Sequence, residues 1–190
     1  VQKTWFAKDR LRMDGAESGL LIRTDQKMMY IIDHKNKKVS SAELPLDFAK
    51  IAGPEAAGQI TQMLAAMKMA ATTTPRDETK KIGTWTARRY DIAMTSAMGM
   101  KIDIAIWSTK DVPVDFAAYR DMMANMQGMN PSMADLVNEM KKIEGMAVLT
   151  DMTMNLMGTE VKTHNEVTSV EAKDAPPGTY EVPAGYAVEK

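Results

Sequence analysis

The chain contains no cysteine, which excludes a disulfide framework, a thiolate zinc site and a cysteine nucleophile. Charge of one sign is missing too. Lys and Arg number 24 against 25 Asp and Glu, so there is no electrostatic footprint for nucleic acid. The basic runs are short (Lys35/Lys37/Lys38 and Lys80/Lys81) and read as solvated surface. No apolar run reaches the roughly 20 residues of a membrane span. The sequence has no G-x-S-x-G elbow, no H-E-x-x-H, no P-loop and no glycine-rich dinucleotide turn. No catalytic residue, metal or cofactor is therefore expected, and the protein is read as non-enzymatic. Asp33–His34 does not alter this, because neighbours on a strand point to opposite faces. His164 reads as a solvent-facing strand residue, and Arg88–Arg89 as part of a charged sheet surface.

Methionine is what the chain has in excess, at 19 residues, while Phe and Trp stand at three each. Methionine is flexible and polarizable and suits surfaces that repack around varied apolar shapes. With 190 residues the sequence reads as one domain over 1–190, long enough to bury a core. VQKTWFA has the look of a strand interior and Val1 is not a natural start, so residues upstream are expected.

Most of the chain has strand rhythm. Gln2–Ala7 and Arg10–Asp14 form a predicted hairpin, in which Leu11 and Met13 alternate with Arg10, Arg12 and Asp14. Leu20–Thr24 and Met28–Asp33 make the next hairpin, and Asn36–Ala42 follows. After Pro45 the rhythm breaks. Pro54 opens a predicted helix from Glu55 to about Ala70, with Ile60, Met63, Leu64 and Met67 on one face. Thr72–Lys81 reads as a connection, in part a strand edge. Thr84–Ala93 and Met98–Ser108 are strands, the second with Met100, Ile102, Ile104 and Ile106 on its apolar side.

Asp115–Ile143 reads as two amphipathic helices hinged at Gly128–Pro131. Phe116, Tyr119, Met123 and Met126 share one face, and Met133, Leu136, Val137 and Met140 form a second stripe. Met146–Leu156 and Glu160–Glu171 form a long hairpin, and Ala175–Gly178 makes a rigid turn before Tyr180–Val182. The order of elements predicts an α+β fold with an antiparallel sheet. Sheets of about eight or more strongly twisted strands tend to curl, so the helices are expected to cover a concave face.

Four strings carry a resemblance: TWFAKDRLRMD, GTWTARRYDI with GMKIDIAIW, IEGMAVLTDMTMNLMG, and APPGTYEVPAGY. Together they resemble the DUF4412 family of bacterial envelope proteins of unknown function. That family in turn looks related to the periplasmic lipoprotein-carrier (LolA-like) superfamily. The resemblance implies an open half-barrel with helices on its concave side, an extracytoplasmic or periplasmic location, and export by a signal peptide absent from this sequence. It carries over no catalytic residue.

On this reading Met63, Met67, Phe116, Tyr119, Met123, Met126, Met133, Leu136, Val137 and Met140 form the wall of a site for a lipid, a lipoprotein acyl chain or another hydrophobic ligand. The alternative is an envelope scaffold or interaction protein whose methionines simply fill the core. A third reading is thioether binding of copper, with Met122/Met126, Met129/Met133, Met63/Met67, Met98/Met100 and Met152/Met154 as candidate pairs. Trp5, Trp85 and Trp107, on three predicted strands, read as anchors of the core or of the sheet's outer face; exposed together they would instead mark a docking surface for a partner or membrane.

Overall fold

The structure, a computed structural model, describes residues 1–46, 69–96, 99–114, 134–156 and 159–189. Its strands form two antiparallel meanders. The first sheet has six strands and the second five. The described residues cluster into two compact units built around these sheets, residues 1–46 with 173–189, and residues 69–96, 99–114, 134–156 and 159–172.

In the first unit β1 (Lys3–Ala7), β2 (Arg10–Asp14), β3 (Ser18–Arg23), β4 (Met28–Asp33) and β5 (Lys38–Glu43) succeed one another through short polar turns. Lys27 and Lys37 take positive φ in two of these turns. The register puts Leu11 opposite Ile22 and Ile22 opposite Met29. Leu11, Ile22 and Leu44 form a buried cluster with Phe6, Met13, Leu20 and Met29 against it. A second cluster, Leu21, Ile32 and Val39, is covered by Tyr180, Val182 and Tyr186 from the end of the chain.

The second unit contains β6 (Met69–Ile82), β7 (Trp85–Ser96), β8 (Lys101–Thr109), β9 (Met146–Leu156) and β10 (Thr159–Glu166). A seven-residue helix, α1 (Ala134–Met140), lies against β6. Met140 and Ile143 pack on the buried cluster Ile92, Met94 and Ile106. Another cluster, Ile82, Trp85, Ala87, Trp107, Val112, Val148 and Leu149, takes Val167 and Val170 against it. Gly145 enters β9 at φ +87°, where a side chain would run into the Thr109 carbonyl.

This architecture corrects the α+β expectation. Strand dominates the described residues, at 60% against 3% helix, α1 is the one helix among them, and neither sheet closes or curls strongly. Among the described residues there is no single half-barrel with helices over a concave face. The physical reason lies at β5. Its outer edge is taken by β11 (Ala187–Glu189), which pairs with it in parallel, so β6 cannot extend the first meander and starts a second one. Residues 72–81 belong to a fourteen-residue strand. Pro75 and the charges behind it suggest a loop in sequence, but the bulge between Pro75 and Thr79 accommodates them. The predicted helix to Ala70 is strand at Met69–Ala70, and Glu160–Glu171 is strand only as far as Glu166.

Candidate functional site: a strap held by arginines

Alternation in β2 and β3 puts Leu11, Met13, Leu20 and Ile22 on one face and Arg10, Arg12, Leu21 and Arg23 on the other. The arginine face is not open to water. Arg12 is 5% exposed, because the strap formed by residues 173–186 crosses it. Irregular chain has no ladder to satisfy its carbonyls, so donors must come from elsewhere. Arg12 Nη1 donates to the Glu181 carbonyl at 3.3 Å and Arg23 Nη1 to the Tyr180 carbonyl at 2.8 Å. Each guanidinium is oriented by a carboxylate two residues further on, Arg12 Nε by Asp14 at 2.8 Å and Arg23 Nε by Asp25 at 2.8 Å. Arg10 lies 5.1 Å from the Tyr180 ring centroid, within cation–π range, and its Nε reaches Asp9 at 3.2 Å.

The electrostatics follow this pairing. The hydrogen bond from Arg23 holds the Asp25 carboxyl below the usual carboxylate range, and the same bond raises Arg23. Burial pushes the Tyr180 phenol up, against the pull of Arg10.

Further along the same face, His34 Nε2 lies 3.2 Å from Asp14 Oδ1, and its Nδ1 lies 3.1 Å from the Tyr186 hydroxyl. The imidazole thus ties the far end of the strap to the carboxylate that orients Arg12. Its carboxylate partner is Asp14, two strands away, while Asp33 accepts from Asn36 instead. Gly19 makes room for this contact, since a Cβ there would meet Asp14 Oδ1, the Met13 carbonyl and His34 Nε2.

Between β1 and the strap runs a half-open trough of about 520 Å³, lined by Trp5, Phe6, Ala7, Arg10, Arg23 and residues 173–181. Lys173 Nζ stands 5.5 Å from the Trp5 ring centroid. Aromatic rings, Pro176, Pro177 and both signs of charge therefore meet in one surface beside an edge strand.

The expected ligand wall is placed only in part. Met63, Met67, Phe116, Tyr119, Met123, Met126 and Met133 lie outside the described residues, as do Met122, Met129, Met98 and the hinge at 128–131. Leu136 and Val137 fall within α1, with their side chains outside the description. Met140 is half-buried against the Ile92 cluster. The helix is anchored by Glu139, whose Oε2 accepts the Thr73 N–H of β6 at 2.6 Å. Lys142, then that amide, hold the Glu139 carboxyl below the ordinary range.

Trp85 and Trp107 share one cluster on neighbouring strands, whereas Trp5 belongs to the other sheet. Arg89 is engaged by Asp91 and Glu78, and Arg88 by the Arg76 carbonyl and Asp77. His164 is exposed and meets Asp151 at 2.6 Å. Among the described residues no group of three or more His, Asp or Glu is placed to hold a metal ion, and no helix is long and apolar enough to cross a membrane.

Sequence reasoning missed Arg12, Arg23, Asp14, His34 and Tyr186 as a set. The available signal was a strap rich in Pro and Gly with two tyrosines, together with arginines at the alternate positions 10 and 12 of β2.

Fold and site together define a two-meander antiparallel β protein whose C-terminal strap is fixed by charged side chains. The chain belongs to the DUF4412 family, described as a domain of unknown function, whose model matches residues 3–186. No curated protein and no solved structure matches it. The two ends of the family match, β1–β2 and the strap, are the segments that meet at the site.

Proposed function

We propose that this protein is a non-enzymatic, extracytoplasmic interaction protein that receives an extended segment of a partner chain in the trough between β1 and the strap. The observation that carries this reading is the trough itself. It flanks an edge strand, whose outer backbone groups can pair with an added strand. Its walls offer Trp5, Phe6 and the two prolines to apolar side chains, with charges of both signs at hand. The extracytoplasmic placement is supported by the likeness of the four sequence strings to envelope proteins. Selection of peptides from a display library on the full chain is the test. Binders are expected that lose affinity at least about tenfold with Trp5→Ala, the scale of one anchoring aromatic. Peptides that bind Trp5→Ala equally well would overturn it.

A hydrophobic ligand is the second reading, favoured by one observation. Ile102, Ile104, Met152 and Met154 are half-buried on a single face of the second sheet, a soft apolar surface of the kind acyl chains need. Saturable binding of a fluorescent lipid probe, unaffected by Trp5→Ala and lost with Met154→Lys, would make it the better account.

A further inference from the structure

Sheet edges are where a β protein either protects itself or pairs with something. The described edges differ sharply in how they are treated. β6 carries Pro75 and a register shift, and Glu139 of α1 takes its Thr73 amide. β11 is only three residues long. β1 is only five residues long. β10 has none of these protections. It runs eight residues without proline or bulge, in unbroken register with β9, and all but Thr163 are exposed.

The cross-strand register then shows what reaches this edge. Ala71 stands opposite Met94, Met94 opposite Ile102, Ile102 opposite Met154, and Met154 opposite Val161. This apolar row crosses the whole sheet and ends at Val161, which is 43% exposed. On the other face of β10, Glu160 and Lys162 flank Val161 and lie 2.8 Å apart.

We propose that β10 is a self-association edge, joining a second copy of this chain across a two-fold axis at Val161. A two-fold perpendicular to the sheet keeps the same faces of both copies on the same side, and the contact is self-complementary. Centred on Val161, it places Val161 beside its own copy, so the apolar row continues into the partner. It also sets Glu160 opposite the second copy's Lys162 and Lys162 opposite its Glu160, two attractive cross-strand pairs. Other registers that preserve the faces do worse. A centre at Lys162 puts two lysines together, and one at Thr163 sets Glu160 against Glu166. A centre at His164 pairs Lys162 with Glu166 but sets two histidines together and leaves Glu160 without a lysine opposite it. Charge therefore selects both the partner and the register.

The experiment is sedimentation of the full chain with charge swaps at the edge. The wild type is expected to dimerise reversibly. Glu160→Lys and Lys162→Glu, each alone, turn both cross-strand pairs repulsive and should weaken the dimer roughly tenfold or more. Mixing the two single variants in equal amounts should restore a dimer, because opposite charges then face each other only between unlike chains. Circular dichroism confirms that each variant is folded, and the mixture can regain association only through contact between copies. A wild type that stays monomeric at its highest soluble concentration overturns the proposal. So does a dimer indifferent to either swap, or a mixture that associates no better than its components.

Discussion

In the first unit the chain that covers the sheet is irregular, and in the second it is a helix or a segment tied back to a strand. That difference decides what kind of side chain does the holding. The strap at 173–186 arrives with unpaired carbonyls, so Arg12 and Arg23 must reach across and donate to Glu181 and Tyr180. A helix satisfies most of its own backbone, so α1 needs chiefly apolar contact, Met140 with Ile143 on Ile92, Met94 and Ile106. The polar anchor from Glu139 to Thr73 serves the edge of the sheet as much as the helix. A cover whose own turns leave carbonyls such as those of Tyr180 and Glu181 to be met from outside thus calls for cationic residues on a buried sheet face, where an alternation pattern would place them in water.

The largest expected effect tests the apolar side of the contrast. Ile92 is 2% exposed at the centre of the helix-covered cluster. Ile92→Ala is expected to cost about 2–5 kcal/mol, the range for deleting a buried aliphatic side chain. A urea titration followed by circular dichroism measures it. A loss of less than about 1 kcal/mol would mean that the cluster collapses around the gap and contributes less than its burial implies.

Next in size is the polar side. Arg12→Met keeps much of the stem that lies beneath the strap and removes the charged head, leaving the Glu181 carbonyl without its donor and Asp14 with His34 alone. Hydrogen bonds to charged groups contribute about 1.5–3 kcal/mol, and a loss of that order is expected. Limited proteolysis should then cut the strap faster while residues 134–156 keep their protection. An unchanged cleavage rate would shift the credit to Tyr180, Val182 and Tyr186, which pack on Leu21, Ile32 and Val39.

How much of this was legible in sequence follows the same division. β1, β2, β4 and β9 fall within a residue of their expected bounds, because alternation with short polar turns is a local signal. β6 was hidden by Pro75 and Arg76–Lys81, which argue locally for a loop, while its pairing with β7 is a tertiary fact. β11 was hidden for a similar reason, since three residues in parallel with β5 leave no pattern. The strap site was illegible for a third reason. Arg10, Arg12 and Arg23 look like a water-facing row until residues 173–186, more than a hundred positions away, are laid over them. The methionine wall drew attention because its spacing is local, but the described part of it, Met140, is ordinary packing.

The smallest expected effect is on pH and refines the comparison, because each unit has one carboxylate held low by a cation at its cover. Asp25 is held below the ordinary range by the hydrogen bond from Arg23, and Glu139 by Lys142 and then the Thr73 amide. A carboxyl depressed in the folded state binds its proton more readily when unfolded, so stability rises with pH across that interval. The contribution is present above the unfolded value of about 4 and disappears as pH falls through the lower folded value. Acidification below about pH 4 should therefore loosen the strap and the helix separately. Arg23→Met should flatten the acid dependence of strap cleavage and leave that of α1 alone, while Lys142→Met does the reverse. Cleavage followed with an acid-active protease at each pH separates the two. If Arg23→Met left the strap opening at the same pH as before, the Asp25 pair would be a bystander, and the packing of Tyr180, Val182 and Tyr186 on Leu21, Ile32 and Val39 would be what fastens the strap.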